Sequence, residues 1–163
     1  MIGTRTLLYS GLILTLGCGG ATTDAGPDAN GLALAGSDRL ELQIVPDLDW
    51  RTLPGDEVRI SAASLDRLNL HLTLQFPGGC RPHEFAPVAG TDLAQSNPPY
   101  TLFRLAHDAN GDGCEAFLTR NVTVDLSPIV PVVEASGARA LRFELVEPGE
   151  RRSSIGELLL ELP

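Results

Sequence analysis

The chain has no lysine. All 12 basic residues are arginine, against 21 Asp and Glu, for a formal net charge of -9. A nucleic-acid partner needs a basic patch to replace phosphate counterions, so that class is excluded. Electrostatic docking on anionic lipid is excluded with it. The lysine deficit itself reads as genome composition. Aromatics are scarce at 5%, so a core has to come mostly from Leu, Val and Ile. Beyond the N-terminus no apolar run approaches the roughly 20 residues that span a bilayer. There is no aromatic girdle of a membrane barrel and no internal repeat. The Gly-x-Ser-x-Gly elbow, His-Glu-x-x-His, the phosphate loop and Gly-x-Gly-x-x-Gly are also missing. A glycosidase pair cannot be picked from so many carboxylates by counting. The expectation is therefore a protein that is not an enzyme. What is present is ordinary globular material, 43% hydrophobic and 20% charged in 163 residues, enough for one domain.

Residues 1–17 read as an export signal. Arg5 is its only charge, and an apolar stretch runs from Leu7 to Leu16, broken by Ser10, Gly11 and Thr15. That stretch is too short to be a membrane span. The segment Leu14-Thr15-Leu16-Gly17-Cys18 resembles the cleavage box of bacterial lipoprotein signals, in which a small residue precedes an invariant cysteine. Thr15 and Leu16 are less usual at their positions. The resemblance implies that Cys18 becomes the lipidated first residue of the mature chain and anchors it to a membrane. Several acyl chains hold stably where one binds only marginally. Gly19, in place of the aspartate that often retains lipoproteins at the inner membrane, implies the outer membrane, on its periplasmic or its surface face. The alternative is a plain secretory signal with an incidental cysteine. Residues 18–37 are rich in Gly, Ala, Thr, Asp and Asn and read as a flexible tether with a reach on the order of 25 Å. Leu32 and Leu34 offer at most a short strand.

Residues 38–163 form the expected domain, and their dominant period is two, the strand period. Leu40, Leu42 and Ile44 alternate with Glu41 and Gln43; Val58 and Ile60 with Arg59 and Ser61. Leu68, Leu70, Leu72, Leu74 and Phe76 share one face, with Asn69, His71, Thr73 and Gln75 on the other. Further strands are expected over Tyr100 to Ala106, Phe117 to Leu126, Leu141 to Leu145 and Leu158 to Leu162. Pro46, Pro77-Gly78-Gly79, Ser127-Pro128, Pro131 and Pro148-Gly149 read as breaks. No helical period appears. The predicted fold is an all-β antiparallel sandwich of about seven or eight strands, because in/out alternation argues against strands buried on both faces.

Chemistry-bearing residues gather between Gly78 and Glu115. Lipidating Cys18 leaves Cys80 and Cys114 free to pair, and export permits oxidation. Such a bridge closes a loop of about 35 residues, worth roughly 2–4 kcal/mol. The alternatives are a metal site using both thiolates, or free thiols. Asp108-x-Asn110-x-Asp112-Gly113 has the oxygen spacing of the first half of an EF-hand calcium loop. Thr119 stands where the bidentate glutamate belongs, and Glu115 offers an oxygen from a different place. The plainer reading is an Asn-Gly hairpin turn, on which a calcium site could also be built. His83 and His107 lie near the cysteines; with Asp108 or Glu115 they could hold a transition metal, or they simply hydrogen-bond loop backbone. His71 is expected to be solvated.

The residues Gly78, Gly79, Cys80, His83 and Phe85, then Asn97, Pro98 and Pro99, then His107, Asp108, Asp112, Cys114, Glu115 and Ala116, then Asp125, Leu126, Ser127 and Pro128 form a pattern. It resembles a group of uncharacterised bacterial exported lipoproteins. The resemblance covers less than half of the chain; it implies the exported sandwich and the cysteine pairing, and no reaction. Three functions follow as expectations. The first is a non-enzymatic envelope lipoprotein that binds a protein or glycan through a patch near Trp50, Tyr100 and Phe103. The second is a calcium-binding module using Asp108 to Asp112. The third is an envelope hydrolase with a pocket around His83 and His107.

Overall fold

Alternation at period two becomes two stacked sheets. The structure, a computed structural model, describes Leu32, Gly36, residues 38–146 and residues 154–162. The export signal, Cys18 and, apart from Leu32 and Gly36, the tether lie outside the described residues. Strands β1 (Arg39–Glu41), β3 (Arg59–Asp66), β4 (Asn69–Gly78) and β7 (Ala116–Asp125) form one sheet in the order β1-β7-β4-β3. Strands β2 (Gln43–Val45), β5 (Glu84–Gly90), β6 (Tyr100–Asp108), β8 (Ala140–Val146) and β9 (Ser154–Glu161) form the other, in the order β2-β5-β6-β8-β9. A short 3-10 helix, Ser127–Ile129, leads into helix α1 (Val130–Ala135). The described residues thus hold nine strands in an all-β sandwich.

The apolar faces predicted from alternation meet between the sheets. Leu70, Leu72, Leu74 and Phe76 of β4 and Val122 and Val124 of β7 pack in one core with Phe85, Phe103, Leu105, Leu141, Phe143 and Leu160. Each fully buried aliphatic or Phe side chain stabilises by roughly 1.5–3 kcal/mol relative to exposure. Phe103 belongs here, with no surface, and so drops out of the expected binding patch.

Strand direction corrects the expectation. The sheets are mixed, with β1–β7, β2–β5 and β6–β8 parallel. Alternation reports which face is buried and not which way a neighbour runs. The parallel β6–β8 pair is possible because the chain between them crosses to the other sheet as β7 and returns through α1, the long connection that parallel neighbours need. The run Leu40 to Ile44 is likewise two strands, changing sheets at Leu42, whose N–H donates to Asp125 O at 2.9 Å. Pro128 and Pro131, expected as breaks, sit in the opening turns of the 3-10 helix and of α1, where a missing N–H costs nothing.

The five-stranded sheet is covered on its outer face too, over β5 and β6. Leu32, at 2% exposure, packs there with Leu53, Ala86, Val88 and Ala106, joined by Val45, Leu48 and Trp50. Arg120 holds the preceding segment by donating to Asp38 Oδ1 at 2.7 Å and to the Gly36 carbonyl. The fold's packing therefore reaches back into the segment read as tether.

Candidate functional site

Register brings the central stretch to one end of the sandwich. Gly78 at the end of β4 pairs with Ala116 at the start of β7. Glu84 at the start of β5 pairs with Asp108 at the end of β6. The 78–84 and 108–116 connections therefore lie side by side. Cys80 and Cys114 are joined as a disulfide with Cα atoms 5.9 Å apart. This excludes free thiols and a site built on two thiolates. They stand with Asp112 as a candidate metal group among the described residues, but two sulfurs bonded to each other are not thiolates.

Asp112 is the hub. Its Oδ2 accepts the backbone N–H groups of Gly79, Cys80 and Arg81, each at 2.9 Å, and its Oδ1 accepts the Cys114 N–H at 2.9 Å. Successive N–H groups converging on one oxygen form an anion nest, filled here by the chain's own carboxylate. His83 Nε2 lies 3.2 Å from the same Oδ2, and the Asp112 side chain is fully enclosed. Charge-assisted hydrogen bonds of this kind are about twice as strong as neutral ones.

A line of side chains runs inward from Asp112. His83 Nδ1 is 2.9 Å from His107 Nε2, and His107 Nδ1 is 3.2 Å from Asp56 O. A carboxylate only accepts, so His83 donates from Nε2; where that ring is neutral, its Nδ1 accepts the Nε2 proton of His107. With both rings neutral, His107 Nδ1 faces the Asp56 carbonyl with no proton between them. Completing that contact requires an imidazolium in an apolar cage. The His107 ring stacks on Phe85 with centroids 4.6 Å apart, and His83 lies 4.7 Å from the Phe76 ring.

Burial holds the His107 imidazole below its ordinary value of 6.5, against the opposing pull of the Asp56 carbonyl. The Asp112 carboxyl is held below 3.8, first by the Cys114 N–H and then by the Arg81 and Cys80 N–H groups and His83, with burial opposing. In both cases the unfolded chain takes protons that the folded chain refuses, so acid favours unfolding. Stability should be full above pH 6.5, begin to fall as pH drops through 6.5, and fall again below 3.8. Melting temperature followed from pH 8 to pH 3 checks this. The first descent should flatten in His107→Gln, and a wild-type curve level from pH 7 to 5 would refute the His107 assignment.

The loop with the spacing of half an EF-hand is built on a turn. Asn110 and Gly111 have φ of 52° and 64°, and the Asp112 N–H donates to Ala109 O at 2.9 Å, as a primed turn requires. It is not a hairpin, because β6 and β7 belong to different sheets. Asp108 Oδ1 accepts the Asn110 N–H at 2.7 Å, and Asn110 Nδ2 donates to Pro82 O at 3.0 Å. Arg81 Nη1 donates to Asn110 O at 2.6 Å. A calcium ion here would have to draw Asp112 from four backbone N–H groups and share the loop with a guanidinium. Glu115 is exposed beside β7, outside this cluster. His83 and His107 are buried, at 6% and 1% exposure. His71 sits on the outer face, 3.1 Å from Thr123 Oγ1.

Open concavities among the described residues lie elsewhere, and one of them is lined by aromatics. Trp50 and Tyr100 line a cleft of about 300 Å³ with Asp47, Asp92, Leu93 and Leu102. This is the small end of the ligand-cleft range. Arg104, which sequence reasoning missed, fixes the Trp50 loop: 8% exposed, it donates from Nη1 to Trp50 O at 2.6 Å. The other end of that loop bonds to β6, with the Asp56 N–H on His107 O at 3.1 Å and the His107 N–H on Pro54 O at 3.2 Å. The cleft wall and the histidine pair thus share one strap.

The fold has solved relatives. A protein of unknown function, DUF1344, from Bacteroides vulgatus ATCC 8482 matches with a TM-score of 0.51 and 12% identity, over 77% of this chain and 57% of that one. A toxin-related protein, provisionally so described, from Parabacteroides distasonis ATCC 8503 matches with a TM-score of 0.52 and 16% identity, over 75% of this chain and 61% of that one. A provisionally described lipoprotein from Bacteroides fragilis NCTC 9343 matches with a TM-score of 0.51 and 11% identity, over 77% and 70%. At these identities the likeness is one of fold. The chain spans less than two thirds of the length of the first two. No family model and no curated protein matches the chain.

Proposed function

We propose that the chain is a non-enzymatic lipoprotein of the bacterial cell envelope, held to the outer membrane through Cys18, whose sandwich binds an envelope partner at the Trp50–Tyr100 cleft. One observation carries this reading. The residues with catalytic chemistry near the disulfide are buried and bonded to one another, whereas the aromatic-walled cleft is open. His83 has both ring nitrogens engaged and Asp112 both oxygens, so neither is free to act on a substrate. Half-buried Trp50 and Tyr100 combine apolar area with polar edges, as interface aromatics do. A provisionally described lipoprotein among the fold relatives and the Gly17-Cys18 box support the anchor.

The test is a photo-crosslinking amino acid at position 91, on the cleft, in the full chain expressed in a bacterial envelope. A discrete crosslinked partner is expected, lost when Trp50→Ala is added. Background equal to that of a control position on the far sheet overturns the binding reading. Acyl labelling and membrane retention should both disappear in Cys18→Ser; their survival overturns the anchor.

A further inference from the structure

We infer that the cleft takes a basic side chain, the guanidinium or ammonium of a cationic peptide segment of a protein partner. This rests on the reading of the cleft as the binding site. Its lining brings two aromatic residues, Trp50 and Tyr100, together with two carboxylates, Asp47 and Asp92, and among the described residues includes no basic one. Rings attract cations through their electron-rich faces, and carboxylates pair with guanidinium through charge and geometry. The chain's net charge of -9 adds a long-range field that steers cations inward. A neutral sugar would gain from the rings but not from that field.

The walls are set before any ligand arrives, which lowers the cost of binding. The Trp50 carbonyl is held by Arg104, and the Arg51 N–H caps Asp49 Oδ1 at 3.0 Å. Tyr100 is fixed by its pairing with Arg142 in β8 and by the Ala94 N–H on its carbonyl at 2.8 Å. The Tyr100 ring already carries one guanidinium, Arg142 at 5.4 Å from its centroid. That cation is partnered by Glu157 at 3.6 Å.

Trp50 is the only tryptophan in the chain, so intrinsic tryptophan fluorescence reads this cleft alone. The full chain in detergent would be titrated with a short arginine-containing peptide, with the same peptide carrying neutral citrulline, and with an uncharged N-acetylglucosamine oligomer. The arginine peptide should give a saturable change with a Kd on the order of millimolar. The citrulline peptide should bind about tenfold more weakly, and so should the arginine peptide to Asp92→Asn. Asp66→Asn, on the other sheet, should bind like the wild type. Equal binding of arginine and citrulline peptides, or saturation by the sugar alone, overturns the cationic ligand and leaves the cleft as a binding site. No saturation by any probe, with the position-91 crosslink still formed, overturns this inference alone. Loss of both overturns the binding reading as well.

Discussion

Asp112→Ala is expected to lower the melting temperature by at least about 10 °C, measured with the disulfide intact. The size follows from what one carboxylate does. It accepts four backbone N–H groups, from Gly79, Cys80, Arg81 and Cys114, and it terminates the His83–His107 line. Removing it takes a charged acceptor from four backbone N–H groups and leaves buried His83 without a partner at Nε2, and hydrogen bonds to a charged group contribute about twice what neutral ones do. Because Cys80–Cys114 still ties the loops together, the damage should appear as local opening of residues 78–83, read as faster amide exchange there. Asp112→Asn keeps the shape and one oxygen but turns an NH2 group towards N–H donors, so it should fall between. Millimolar calcium should not raise the wild-type melting temperature, because the ion would have to compete for Asp112 with four backbone N–H groups. An Asp112→Ala midpoint within about 3 °C of wild type would mean the nest is decoration.

The fold was legible wherever one face of a strand is buried and the other wet. In β4 the alternation of Leu70, Leu72, Leu74 and Phe76 with polar residues maps directly onto the core. It failed at β5, Phe85-Ala86-Pro87-Val88-Ala89, because Leu32 and the Trp50 loop cover that strand's outer face. Burial on both sides erases the period, and Pro87 looks like a break. Strand direction was not legible, since pairing depends on crossings between sheets that no local pattern records.

The site divides in the same way. The disulfide followed from an odd cysteine count and an export signal. The role of Asp112 did not, because carboxylates at alternate positions suit a cation and suit a ring of N–H donors equally. The distinguishing signal sits 31 to 33 residues away, in Gly79-Cys80-Arg81, just after Gly78. Glycines at positive φ let consecutive N–H groups turn towards one point, and a positive arc wants an anion. Arg104 was hidden for another reason: on a strand an arginine reads as outward and solvated, and only the strap above it makes it buried. That strap touches both regions. Trp50 is pinned through Arg104 and residues 54–56 through the His107 backbone, so the order of the buried histidine pair and the shape of the open cleft depend on the same segment.

Gly78→Ala is the second substitution with a large expected effect, about 2–4 kcal/mol of stability. Gly78 has φ of 152°, a conformation that side chains rarely adopt. A Cβ there would stand 2.3 Å from His83 Nε2, 2.6 Å from His83 Cε1 and 3.1 Å from Asp112 Oδ2. The ring cannot yield. Phe76 lies against it with centroids 4.7 Å apart, His107 stacks on it at 5.1 Å, and its Nε2 is held by Asp112. Gly79→Ala is the control. Its φ of 118° is also unfavourable, but the nearest neighbour, Ala116 Cβ, is 3.4 Å away, so backbone strain dominates at about 1–3 kcal/mol. The clash and the strain separate in a double-mutant cycle. With His83→Ala already present, adding Gly78→Ala should cost only as much as Gly79→Ala does, a non-additivity of at least about 1 kcal/mol. Strict additivity, or Gly78→Ala no worse than Gly79→Ala in denaturant unfolding, would mean that the imidazole does not lie over this glycine and that the hydrogen-bonded line from Asp112 to His107 is differently built.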